Sequence, residues 1–262
     1  MAELFRITRG LELDDSVQIL QGAIPPGSTP DTDAAQRGSF YLDTFDGTAY
    51  TKIAIGTGTG VWSNVSSASV VLFAEFLASP SIPVASGNNS VAIGSGASAT
   101  ATTSLAIGNQ SLARLPGGVV QASGRFGSSG DAQTGRYLLR TVTVNGAWTQ
   151  AFIDGTGGTQ QLVLPDNSTW TFTATITGHR TNTTGGHAGY KIEGVVYRDS
   201  GAGTIAFQGK VVKTTLAESN PAWDVTALVD TGTGSLVIKV LGEPLPAIIR
   251  WVACVETVEI TN

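Results

Sequence analysis

Residues 90–99 (SVAIGSGASA) return fourteen positions later as residues 104–113 (SLAIGNQSLA). A repeat this short constrains the fold more than any other part of the chain. Each copy holds one short apolar run and one small-residue turn, too little to close a core, and repeat units of this kind bury their apolar face only by stacking on neighbours. Partner chains must therefore supply the missing surface, and a trimer is expected. Gly94 and Gly108, each directly after an isoleucine, fit a backbone position that needs positive φ or a close approach. The competing reading is an ordinary hairpin of two similar strands.

The pattern S-[VL]-A-I-G-x-x-[AS]-x-A resembles the head repeats of trimeric bacterial adhesins, over residues 90–113 only. The resemblance implies a left-handed parallel β-roll wound from three chains. It also implies that Val91, Ile93, Leu105 and Ile107 form the trimer core and that the glycines permit the corners.

The rest of the composition agrees with an all-β chain. Of 262 residues, 33 are glycine and only 13% are charged, on a background rich in serine and threonine. With 41% hydrophobic residues and a net charge of −5 the chain can bury a core and is not of the disordered class. The acidic balance leaves no electrostatic footprint for nucleic acid or for an anionic membrane surface. The start Met1-Ala2-Glu3-Leu4-Phe5-Arg6 shows no basic segment followed by an apolar one, so synthesis in a cytoplasm without secretion is expected. No apolar run reaches the roughly 18–20 residues that span a bilayer, and no membrane insertion is expected. The single Cys254 excludes an intrachain disulfide and reads as a small core residue.

Four segments are expected. Residues 1–30 read as an attachment arm without a core of its own, ending in a proline-rich linker at 25–30. Residues 31–66 read as a small meander, with Asp46-Gly47 as a tight turn and a glycine-rich turn at 56–60. Residues 67–118 hold a connector, helix or strand at 70–77, and the repeats. Residues 119–262 carry strand patterns at 136–144, 148–153, 160–164, 169–177, 190–197, 204–213, 235–241 and 247–260. The cleanest is 169–177, where Trp170, Phe172, Ala174 and Ile176 alternate with four threonines. Strands at this spacing fit an antiparallel β-sandwich of jelly-roll type.

Two further segments carry resemblances. The meander, with GSFYLDT ahead of YTKI and a closing Trp62, resembles a module near the amino termini of bacteriophage tail fibre and baseplate proteins. The runs RYLLR at 136–140, LPDNSTW at 164–170, GYKIEG at 189–194, AWDV at 222–225 and IRWVA at 249–253 resemble the carboxy-terminal domain of phage tail and fibre proteins. Together they imply a homotrimeric virion protein, joined to other tail or baseplate proteins through residues 1–30 and meeting a host surface polysaccharide through the sandwich. A purely structural tail component is the alternative.

No catalytic pattern is legible. His179 and His187, with seven residues between them in a Gly/Thr/Asn stretch, match no usual zinc spacing, so neither metal nor cofactor is expected. Asp154-Gly155, Asp166-Asn167 and Asp230-Thr231-Gly232 read as turns in which the aspartate caps its own backbone. The chain is expected to bind and not to be an enzyme. Stretches 178–189, 199–203 and 217–223 are the candidate binding loops. Arg180, Asn182 and His187 are the candidate hydrogen-bonding contacts, and Trp223 is either a stacking platform or a core residue.

Overall fold

A computed structural model of the chain describes residues 11–14, 17–22, 39–43, 49–52, 62–64 and 81–262 except 183, 245 and 246. The linker at 25–30, the turns at 46–47 and 56–60, and the segment 70–77 lie outside the described residues. The protein is all-β and falls into two compact units, Met1–Val70 and Val71–Asn262.

The first unit contains one five-stranded sheet in the order β1 (Leu11–Asp14), β2 (Val17–Gly22), β3 (Phe40–Asp43), β4 (Ala49–Lys52), β5 (Trp62–Asn64). Strand β2 runs parallel to β3, and the other neighbours are antiparallel. Tyr41 is buried between Leu20 and Tyr50. The expected arm without a core is therefore corrected, because its strands β1 and β2 share the sheet of the meander.

In the second unit the fourteen-residue repeat is written into the strand register. Strands β6 (Val84–Ala85), β8 (Ser98–Ala99) and β10 (Leu112–Ala113) pair in parallel, Ala85 with Ala99 with Ala113. Strands β7 (Val91–Ile93), β9 (Leu105–Asn109) and β11 (Val119–Ser123) form a second parallel ladder, with Val91 beside Leu105 beside Val119. Three turns of chain thus stack where the sequence shows two repeats. Asn89, Thr103 and Gly117, spaced fourteen apart, hold φ of 55°, 55° and 63°, so the corner recurs even where the residue type drifts. Gly108 sits at φ +92°, and a Cβ there would come within 2.1 Å of the Ala122 carbonyl oxygen. Only glycine tolerates both conditions.

Inside the turns lie Ala92, Ala97, Ala99, Ala106 and Ala113, all buried, with Ser95, Ser104 and Ser111. Small side chains here leave the branched residues of the same strands on the opposite side, since neighbours on a strand point to opposite faces.

Strand β11 also pairs antiparallel with β12 (Ala132–Thr143), so the boundary expected at 118/119 runs through a continuous sheet. This large sheet has the order β17 (Ala206–Phe207), β16 (His187–Arg198), β15 (Ser168–Arg180), β21 (Ile249–Thr261), β12, β11, β9, β7, with β18 (Val212–Glu218) also on β16. A small sheet joins β13 (Trp148–Ala151), β14 (Leu162–Val163) and β19 (Asp224–Asp230) to β20 (Ser235–Leu241). The two sheets enclose one apolar core in which Trp170, Trp223, Trp251, Tyr137, Tyr190 and Phe172 are fully buried. Each such ring contributes about 1.5–3 kcal/mol by leaving water.

The strand expected at 204–213 is corrected. A 3-10 turn at Ala202–Thr204 and the two-residue β17 occupy its first half, and β18 starts only at Val212. Strand β19 was not read from the sequence.

Replacing Ala106 with leucine is expected to destabilise the second unit by about 1–3 kcal/mol, because Ala106 is fully buried in register between Ala92 and Val120 and added methylenes would overpack the column. Denaturant unfolding of the variant against the parent checks this, and an unchanged midpoint would mean that the column is loosely packed.

Candidate functional site

Three surfaces are built from residues that the sequence singled out or passed over. The first is the outward face of the parallel ladders. Val91 and Ile93 are 39% and 36% exposed and Val119 is 40% exposed, while Leu105 and Ile107 between them are half-buried. In register, Val91, Leu105 and Val119 make one column and Ile93 and Ile107 the next. The same face continues onto β12 and β21, where Ile107, Val119, Arg136, Thr171, Glu256 and Val258 line a groove of about 480 Å³. Cys254 lies on that face, partly exposed, with its Sγ 3.2 Å from the Arg136 Nε donor. Its assignment to the core is corrected, since β21 alternates and position 254 points away from the buried face.

The second surface is the end of the β15–β16 hairpin. The expected loop 178–189 shrinks to 181–186, because the ladder runs out to the pair His179 and His187. Arg180 donates to Glu243 at 2.7 Å, and the Asn182 Oδ1 accepts the Ile248 amide at 3.0 Å. Both are braces within the protein as well as tip residues. His187 is exposed, its backbone held by Ser219 through bonds of 3.1 and 3.0 Å. Trp223 is corrected outright. It is 2% exposed and packs edge-on against Trp251 at 5.5 Å, so it is a core residue and offers no stacking platform. The expected loop 217–223 also begins inside β18.

The third surface was missed. Trp148 opens β13 and is 44% exposed beside a cleft of about 520 Å³ lined also by Lys213, Asp224, Thr226, Leu228 and Lys239. Lys213 and Asp224 form an ion pair. Lys239, between Gln150 and Thr226 across the small sheet, has no ion-pair partner among the described residues. An exposed indole with ammonium, carboxylate and hydroxyl groups around it matches the needs of sugar recognition: an apolar plane for a ring face and polar groups for hydroxyls. The sequence signal was the turn Asn145-Gly146 just before Trp148, which places the ring at a strand end.

The aspartates behave as turn residues. Asp154 accepts the amides of Thr159 and Gln160, both at 3.0 Å, and these bonds, the Thr159 amide foremost, hold its pKa below the ordinary 3.8. Asp230 is lowered likewise, first by the Thr233 hydroxyl and then by the Gly232 amide. Asp166 accepts the Gly201 amide and pairs with Arg198.

No family model matches the chain, and no curated protein matches it by sequence. Among solved structures, the tailspike protein gp49 of Acinetobacter baumannii bacteriophage Fri1, described as a capsular polysaccharide depolymerase, aligns at 16% identity and a TM-score of 0.30. That alignment covers 49% of this chain and 18% of the tailspike. The tailspike of Acinetobacter baumannii phage AM24 aligns at 12% identity and a TM-score of 0.29, covering 64% of this chain and 33% of the other.

A carboxylate whose pKa is lowered by folding stabilises the native state above its ordinary value and loses that contribution as pH falls through the lower, folded value. For Asp154 and Asp230 the loss therefore falls below pH 3.8. Acid unfolding followed by circular dichroism is expected to be less steep in the Asp154→Asn, Asp230→Asn double variant than in the parent, and an identical profile would show that these turns do not couple to folding.

Proposed function

We propose that the chain is the subunit of a homotrimeric bacteriophage tail fibre, joined to the tail or baseplate through its amino-terminal unit and adsorbing to the host surface through its carboxy-terminal β-sandwich of jelly-roll type. Synthesis in the host cytoplasm and residence in the virion follow from that reading. The observation that carries it is the inversion in the parallel ladders: alanine and serine fill most of the interior, and valine, leucine and isoleucine stand outside in register. A soluble monomer seldom exposes a contiguous apolar surface of this kind. Three copies wound as a β-roll would bury Val91, Ile93, Leu105 and Ile107 against one another, in keeping with the adhesin-like repeat.

Attachment is assigned to residues 1–30. Because β1 and β2 share a sheet with β3 to β5, the docking element is a folded unit and not a loose arm. Host contact is assigned to the Trp148 cleft, with a surface polysaccharide as the ligand. No catalytic step is assigned. The purely structural alternative draws support from Arg180 and Asn182, whose side chains are already bonded within the protein.

Sedimentation at micromolar concentration is expected to show a trimer and no folded monomer. Ile93→Asp or Ile107→Asp should abolish assembly, since three carboxylates would meet in an apolar interface. Trimers from both variants would place these side chains in solvent and sink the reading.

Trp148→Ala is expected to leave the melting temperature nearly unchanged and to cut phage adsorption strongly, because loss of a stacking ring removes affinity without opening the core. Normal adsorption with intact assembly would favour the structural alternative. The parent incubated with host capsule should release no reducing ends.

A further inference from the structure

The chain has two histidines, and strand pairing brings them together. His179 near the end of β15 lies opposite His187 at the start of β16, as the last pair of a continuous ladder. Their Nδ1 atoms are 3.1 Å apart, and the rings are 5.0 Å apart at 24°. Both side chains are exposed.

Two ring nitrogens this close share either a proton or a cation. Nitrogen ligands bind zinc at about 2.0–2.1 Å, so two of them stand roughly 3.3–3.4 Å apart at a tetrahedral angle and roughly 2.9 Å apart at a right angle. The observed separation falls between these spans, so a small ring rotation satisfies either geometry. The backbone under the pair is already fixed. Strand β15 is held by β21 on its other edge, and Ser219 clamps the His187 backbone. The Arg180 amide donates to the Gly186 carbonyl at 2.9 Å and closes the tip loop. Little ordering cost remains for a chelate.

We propose that His179 and His187 form a bidentate site for a divalent transition metal, with Zn²⁺, Ni²⁺ and Cu²⁺ as the fitting class. Imidazole selects these ions over Ca²⁺ and Mg²⁺, which prefer oxygen. The exposed rings leave the other coordination positions to water or to an external ligand. A bound ion would staple β15 to β16 directly beside Arg180 and Asn182, and would fix the loop that those residues brace. The site stands apart from the Trp148 cleft and does not depend on the trimer.

The test uses the full chain carrying Cys254→Ser, which removes the other soft ligand, and titrates Zn²⁺ or Ni²⁺ alone by calorimetry. One ion per chain is expected, with the ring signals of both histidines shifting together in the NMR spectrum. His179→Ala and His187→Ala should each weaken binding about tenfold or more, and the double variant little further, because a chelate is lost with either arm. Added Ni²⁺ should raise the melting temperature of the parent and of neither single variant. Three results would overturn the proposal: undiminished binding in either single variant, small losses that add in the double variant, or saturation only at millimolar metal.

Discussion

The interior of the parallel turns is filled mostly by alanine and serine, with Leu115 and Val120 the larger side chains, and the character of the second unit follows from that choice. A strand has two faces, so a small residue inside obliges its neighbours to face out. Here those neighbours are Val91, Ile93, Leu105, Ile107 and Val119. The turns therefore carry most of their apolar surface on the outside, where a single chain does not cover it. In the proposed trimer the same alternation that sets the fold would also set self-association, so the two could not be varied separately. A larger interior residue would strain the stack, and a polar outer residue would weaken the proposed contact between chains.

A stack of parallel strands must also end somewhere, and an open end exposes unpaired backbone. In the short ladder the last strand is β10, and the Gln133 side chain closes it. Its Oε1 accepts the Leu112 amide at 3.0 Å and its Nε2 donates to the Leu112 carbonyl at 3.2 Å, as a neighbouring peptide would. The same Nε2 donates to Glu259 at 2.9 Å, and Glu259 also accepts from Tyr137 at 2.7 Å and Thr257 at 2.6 Å. Burial, and after it the Glu259 carboxylate, pushes the Tyr137 hydroxyl pKa well up, so this proton stays in the network. A buried carboxylate with three donors is fully satisfied and fixes the register of β12 against β21. The other ladder needs no such cap, because β11 passes directly into pairing with β12.

The sequence showed the fold class, the fourteen-residue period and the position of most strands. Alternation is a local property, so β15 was legible from Trp170, Phe172, Ala174 and Ile176 alone. It did not show the third turn of the stack, because Val119-Val120-Gln121 keeps the geometry of Val91-Ala92-Ile93 while losing its letters. Strand β18 escaped because all seven of its residues are exposed, leaving no alternation to read. The site was less legible than the fold. Trp223 and Trp148 look alike in sequence, and only the packing of one against Trp251 and the strand-end position of the other separate a core ring from a surface ring. The closeness of the two histidines was hidden for a related reason: spacing rules assume a local turn or helix, whereas these two meet across a hairpin.

The placement of the surfaces bears on how a trimer would work. The apolar columns and their continuation lie on the outward face of the large sheet, while Trp148, Thr226, Leu228 and Lys239 belong to strands of the small sheet. The groove that continues the columns shares no lining residue with the cleft, so an interface built on the columns would leave the cleft its own surface. The cleft itself is shallow in chemistry, with one ring, one ion pair and one ammonium that has no ion-pair partner among the described residues, and a single copy would hold a sugar weakly. If the proposed trimer faces a polysaccharide that repeats the same unit many times, three copies on a rigid scaffold would turn each later binding event into an intramolecular one. Avidity of that kind can exceed the single-site affinity by about 10²–10⁴ without any new contact. A weak site is then the better design for adsorption. In the proposed fibre each contact could release and re-form along the polymer while the particle as a whole stayed bound.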